Sequence, residues 1–249
     1  LNGKGYSLKQ CGSNLVYYNL RLVPSNVESK YIGVTHEYLS FNGQICKHNS
    51  LYVDDRGDGG CKADKFTRDE MLLRKGLDCE PSNDRYTFYL ANTLKNLGKH
   101  EEAIEYYKLR CSMGGWDEEV FYSQYQIGHC YELLEKEKMM EEAYLNAWEM
   151  RPTRAEPLYD LAKYFRIKGK NARSWRYSII GKSIKQPDDR LFVHSNKYGV
   201  AFDRELSVVS YYVPIAVKDQ SIFKKIFYED SSKRDITNFM FYCKQFTAD

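Results

Sequence analysis

The sequence predicts an α+β protein, mainly α, in which a small β-rich N-terminal segment leads into a helical repeat. Two observations carry this. Between residues 83 and 187, large and small apolar residues recur at fixed positions of a unit about as long as two short helices. Before residue 55, short runs of Val, Tyr, Leu and Ile are cut by Gly-Ser, Pro-Ser-Asn and Asn-Gly, which are turn chemistry.

The N-terminal runs are Asn14 to Val23, Tyr31 to Phe41 and Ser50 to Val53, each expected as a strand. Three strands make a marginal sheet with unpaired edges, so it is expected to extend a larger sheet upstream. The chain opens on Leu1 in what reads as the middle of something longer, and an upstream portion is expected. A polar, Gly-rich loop follows at Asp54 to Gly60. Lys62 to Leu77 then suits an amphipathic helix with Phe66, Met71, Leu72 and Leu73 on one side and Gly76 as its stop.

The repeat begins at Asp84. With Asp84, Phe121 and Ala155 as first positions, the copies lie 37 and 34 residues apart, and the second offset is the length of a tetratricopeptide unit. Position 7 then holds Leu90, Ile127 and Leu161, position 8 Ala91, Gly128 and Ala162, and position 11 Leu94, Tyr131 and Phe165. Large, small, large is what closely crossing helices need, because the small residue admits the neighbour and the large ones fill the groove beside it. Gly98 and Gly169 fall where the first helix must turn, Ala103 opens the second-helix contact, Tyr107 and Tyr144 hold its large position, and Pro152 ends copy two. Copy two departs at Glu135, where glycine is expected, and at Met140, where alanine is. Three extra residues sit in the Met113 to Trp116 loop, and copy three weakens after Ser174, as a capping unit does. Asp188 to Val213 reads as mixed structure, with Leu191 to Ser195 as strand or helix and Glu205 to Val213 as helix. Two amphipathic pieces follow between Lys218 and Asp249.

Composition narrows the function classes. Net charge is +3, from 37 basic and 34 acidic residues, which gives no electrostatic footprint for nucleic acid or a membrane surface. No apolar run is long enough to span a membrane, and no signal peptide is visible. The seven cysteines are odd in number and form no C-x-x-C pair, so free thiols in a reducing, cytoplasmic setting are expected and a zinc site is not. The 22 tyrosines fit either a helical solenoid or a sugar-facing cleft.

Four clusters could carry chemistry. His36 and Glu37, on a strand, would point to opposite faces unless the strand ends there; they are either a partly exposed pair or a metal ligand beside a base. Asp54, Asp55 and Asp58, among Gly57, Gly59 and Gly60, are a solvated turn or a cation or sugar-hydroxyl site without EF-hand spacing. Lys62, Lys65 and Arg68 stripe the start of a helix, where cations oppose its dipole; Asp64 and Asp69 pair with them or a phosphate does. Trp116, ahead of Asp117, Glu118 and Glu119, is a staple for the next helix or a sugar-stacking platform. No P-loop, G-x-G-x-x-G, nucleophile elbow or H-E-x-x-H is present.

The runs RLVPSNVESKYIGVTHEYL, DRGDGGCKADKFTRDEMLL, NDRYTFYLANTLKNLGKHEEAIEYYKLR, GGWDEEVFYSQYQIG and RPTRAEPLYDLAKYFR, in that order over about residues 14 to 213, resemble the C-terminal portion of family 2 glycosyltransferases with a tetratricopeptide-like extension, found in bacteria and large DNA viruses. The resemblance implies that residues 1–80 are the C-terminal part of a GT-A domain, 81–187 three repeats, and 188–249 a capping region. It implies sugar transfer from a nucleotide-sugar donor to a glycan or protein acceptor, assisted by divalent manganese or magnesium. Carried over, Glu37 is the candidate base or acceptor contact, His36 and Asp55 the metal contacts, and Asp58, Lys62, Lys65 and Arg68 the groups closing over the diphosphate. The nucleotide-binding half with its Asp-x-Asp motif is absent from these residues, so this portion alone is expected to be inactive. The alternative is a non-catalytic module whose repeats bind a protein partner. The expected location is cytoplasmic, in a host cell if the source is viral.

Overall fold

The structure is a computed structural model that describes residues 3–11, 16–54 and 64–213. It divides into two compact units, Leu1–Leu134 with Arg190–Phe192, and Glu135–Asp189 with the described residues from Val193 onward.

In the first unit, β1 (Gly5–Cys11) pairs antiparallel with β2 (Val16–Leu22). A separate hairpin joins β3 (Ser29–Ile32) to β4 (Tyr38–Phe41), with Ile32 opposite Tyr38. β5 (Ile45–Asp54) returns parallel to β1, giving the order β2-β1-β5. The stretch Tyr31 to Phe41 is therefore not one strand. Gly33 and His36 adopt positive φ, 125° and 50°, and fold the chain back on itself between them. β1 escaped the sequence reading because Leu8 is the only one of its apolar residues past Gly5 that is buried, and Lys9 and Gln10 interrupt the pattern.

Four helices complete the unit: α1 (Lys65–Cys79), α2 (Asp84–Asn96), α3 (His100–Met113) and α4 (Asp117–Leu133). Asn83 caps α2 by accepting the Tyr86 N–H at 2.9 Å. Gly76 does not stop α1. It lies inside the helix, where an added Cβ would sit 3.1 Å from the Tyr86 ring and 3.2 Å from Val34, so the missing side chain is what lets α2 and the hairpin turn approach. Leu90, Ala91 and Leu94 of α2 and Ala103 and Tyr107 of α3 are fully buried, as the large-small-large pattern requires. Trp116 is not a staple: it occupies the cap position of α4 itself, the preceding residue is Gly115, and its ring is 43% exposed.

The second unit holds α5 (Glu137–Met150), α6 (Glu156–Ile167), α7 (Asn171–Lys182) and α8 (Val200–Val209). Leu161, Ala162 and Phe165 are fully buried, and Ser174, at the small second-helix position, donates to the Ala162 carbonyl at 2.7 Å. The helical reading of Glu205 to Val209 holds, whereas Leu191 to His194 is neither strand nor helix and leads into a single 3-10 turn at Ser195–Lys197. The expected amphipathic pieces between 218 and 249 lie outside the described residues. No helix among the described residues is long and apolar enough to cross a membrane. The fold is mainly helical with a small strand segment at its N-terminal side.

Candidate functional site

Two groups of side chains in the first unit offer chemistry. The first surrounds the hairpin turn. His36 stacks on Tyr89 of α2, ring centroids 4.1 Å apart and 8° from parallel. Its Nε2 lies 4.0 Å from Asp69 Oδ2, while Thr35 donates to Asp69 Oδ1 at 3.1 Å. Arg85 donates from Nη2 to the His36 carbonyl at 2.7 Å, and its guanidinium stands 4.8 Å from the rings of both Tyr38 and Tyr89. Burial pushes the His36 imidazole below its ordinary value; Asp69 and Glu37 oppose that shift and Lys65 and Arg85 reinforce it. The shift favours the neutral ring, which Tyr89, Asp69 and Arg85 surround.

Of the residues singled out in sequence, the structure gathers His36, Glu37, Lys65 and Arg68 near Asp69. Glu37, Lys65 and Arg68 are exposed, and Arg68 approaches Asp69 to 3.8 Å. His36 and Glu37 sit in a turn, not on opposite faces of a strand. Asp55, Asp58 and Lys62 lie outside the described residues. His36 with Asp69 supplies one imidazole and one carboxylate, and no group of three or more His, Cys, Asp or Glu among the described residues is arranged to hold a metal ion. This pair alone does not fit a resident divalent metal. Sequence reasoning treated Asp69 only as a counter-charge and missed Arg85 and Thr35; nothing in the sequence marks them, because the hairpin brings them together from 34 and 49 residues away.

The second group lies on the first helices of the hairpin units, much of it packed into the core. On α2 and α4 it is a run of rings: Phe88 lies 6.0 Å from Tyr122, Tyr122 6.2 Å from Tyr125, and Tyr125 4.7 Å from His129. Lys95 donates to buried Gln126 at 2.6 Å, and buried Tyr107 of α3 donates to Asn92 at 2.7 Å, which ties the helices together. A buried clasp fixes the entry of α4. Arg110, fully buried, donates from Nε and Nη2 to Glu119 Oε2 at 3.2 and 3.0 Å and from Nη1 to the Gly114 carbonyl at 2.6 Å. Burial raises the Glu119 carboxyl despite Arg110.

Next to that clasp, Glu118 Oε2 accepts the main-chain N–H groups of Arg190 and Leu191 at 2.8 and 2.7 Å. Phe192 then packs on Tyr122 with centroids 4.9 Å apart. The α4 face thus receives a bent stretch of chain through two main-chain N–H groups and one ring.

In the second unit the equivalent face of α6 is also covered. Arg151 grips Asp189 with two hydrogen bonds of 2.7 Å and holds its carboxyl below the usual range. Buried Arg154 pairs with buried Glu156, which also accepts from the Tyr198 hydroxyl at 2.6 Å and the His194 N–H at 3.2 Å. Lys197 bonds both oxygens of Asp160 at 2.7 Å.

Family models described as tetratricopeptide repeats match residues 72–105 and 121–154. The second frame coincides with the copy that begins at Phe121. The first begins inside α1, consistent with α1 packing on α2 like the second helix of a preceding unit. No curated protein matches the sequence. Among solved structures, a crystal structure of MamA protein is 15% identical over 68% of this chain and 88% of its own, with a TM-score of 0.50. Another MamA crystal structure is 12% identical over 74% and 92%, with a TM-score of 0.48. The protein YrrB, described as a tetratricopeptide protein with an unusual peptide-binding site, is 13% identical over 70% and 83%, with a TM-score of 0.49. At such identities the likeness concerns the fold, and neither family model is that of a glycosyltransferase. The chain carries tetratricopeptide repeats.

Proposed function

We propose that this chain is a protein-binding module whose first-helix faces take short segments of partner proteins. The observation that carries the reading is the seating of residues 190–192 on α4: Glu118 accepts two consecutive main-chain N–H groups, and Tyr122 offers a ring to the side chain that follows. Two successive N–H groups on one oxygen select a turned backbone, and the ring adds selection for the side chain that follows. The test is selection of random peptides on the intact chain, with the bound region mapped by hydrogen exchange. Protection at α2 and α4 that is lost on Tyr122→Ala supports the reading, and failure to select any peptide sinks it.

Sugar transfer is the second reading, supported by the sequence resemblance and by the clustering of His36, Glu37, Lys65 and Arg68 near Asp69. There Glu37 would be the base and the two cations would face the diphosphate, with Asp55, Asp58 and Lys62 contributing from the Gly-rich loop. Its test is transfer from a nucleotide-sugar with manganese by a protein that includes a donor-binding half. Activity lost on Glu37→Gln supports it, and activity unchanged by that substitution removes Glu37 from the role.

A further inference from the structure

We propose that Arg190–Phe192 is a built-in occupant of the α4 face and that a partner segment binds there by exchange with it. The inference rests on the protein-binding reading and adds what the partner must present: two consecutive free main-chain N–H groups followed directly by an aromatic side chain.

The contact is well placed. One carboxylate oxygen, on Glu118, takes both N–H groups, and one ring, on Tyr122, takes Phe192. Glu118 adjoins Glu119, which buried Arg110 clasps, so the acceptor is carried by the firmly held start of α4. The occupant, in contrast, is held under strain. Phe192 has φ of 46°, in the left-handed region where a bulky side chain crowds its own backbone. A partner that reaches the same two contacts with ordinary backbone angles lacks that cost, so it competes at moderate concentration. The apparent affinity of the face is then the intrinsic affinity reduced by the fraction of time the face is open.

The experiment uses the intact chain and a fluorescein-labelled peptide containing Arg-Leu-Phe between glycines, which lacks the aspartate that Arg151 grips. Binding by anisotropy is expected to be roughly five- to tenfold tighter for Phe192→Ala than for the natural chain, since one ring contact is what the substitution removes. Adding Glu118→Ala to that variant abolishes the gain, and an Arg-Leu-Ala peptide shows none. Phe192→Gly, which tolerates the positive φ, gives the same gain and guards against misfolding of the alanine variant; thermal melts establish that each variant is folded. Equal affinity of the natural chain and both folded Phe192 variants overturns the exchange mechanism. If, in addition, randomly selected peptides still protect α4, the binding module stands without its occupant; if no peptide binds any variant, both readings fall.

Discussion

Single backbone angles decide several features of this chain. Gly98 and Gly169 turn their hairpins with φ of 76° and 71°, and the following lysines donate back to Leu94 and Phe165 at 2.9 and 2.8 Å. At the same position of the middle unit Glu135 has φ of 56°, so a side chain sits where its two counterparts have none. Glu135→Gly is expected to raise stability by about 1 kcal/mol, the cost of a left-handed L-residue less the extra freedom of glycine when unfolded. A urea titration checks it, and an unchanged or lower midpoint refutes it. Gly76→Ala runs the other way: its methyl must displace the Tyr86 ring and Val34, and a loss of about 1–3 kcal/mol is expected in the same titration. Protons act at this scale too. His36 and His194 both titrate below their ordinary 6.5, chiefly because they are buried. The unfolded chain therefore binds more protons, and stability is full above pH 6.5 and falls as the pH drops through it towards the folded values. Around His36 the facing charges are Asp69, Lys65, Arg85 and Glu37; around His194 they are Lys197, Glu156, Asp160 and Arg154. His36→Asn, which suits the positive φ of the turn, should flatten the decline seen in melts between pH 7 and 5.

Helices were legible where strands were not, and the reason is the range of the contacts each depends on. The recurrence of Leu90, Ala91 and Leu94 in Ile127, Gly128 and Tyr131 and again in Leu161, Ala162 and Phe165 is local, so the hairpin units could be read from spacing alone. The hairpin at Gly33 and His36 depends on pairing Ile32 with Tyr38 and on α2 behind it, and the apolar run gave no hint of the break. The turn cluster was half legible for the same reason: His36, Glu37, Lys65 and Arg68 stand out by type, whereas Arg85 and Thr35 acquire their roles only from the fold. The α4 face was not legible at all, because Glu118 reads as a helix-start acid and Phe192 as one apolar residue in an ambiguous run. At this scale the Arg110–Glu119 clasp is the connection between α3 and α4. Glu119→Ala leaves a fully buried guanidinium with one carbonyl and the more distant Asp84, at 3.7 Å, as its remaining partners, and about 3–5 kcal/mol of stability should be lost. Calorimetry measures it, and a loss under about 1 kcal/mol would mean that Arg110 finds water.

At the scale of the whole molecule, thiol chemistry offers a readout of how the first unit opens. Cys79 is exposed at the end of α1, whereas Cys130 is buried in α4 and Cys111 half-buried in α3. Burial pushes the Cys130 thiol up to about 12 and the Cys111 thiol up to about 11, so neither is appreciably ionised at neutral pH, and only the thiolate reacts. In native protein at pH 7.5, a thiol reagent should therefore modify Cys79 at the rate of an open thiol, while Cys130 waits for the helices to separate. The two rates respond differently to core damage. Leu90→Ala removes a fully buried side chain from α2 and should lower stability by about 2–5 kcal/mol. If labelling of Cys130 follows the open population, its rate rises by the same factor as that population, about tenfold for each 1.4 kcal/mol, while the Cys79 rate does not move. Peptide mass mapping at timed intervals resolves the two sites. A Cys130 rate indifferent to Leu90→Ala would show that α4 is exposed by a local motion that leaves the α2 core intact, and the stack would then be opening unit by unit instead of cooperatively.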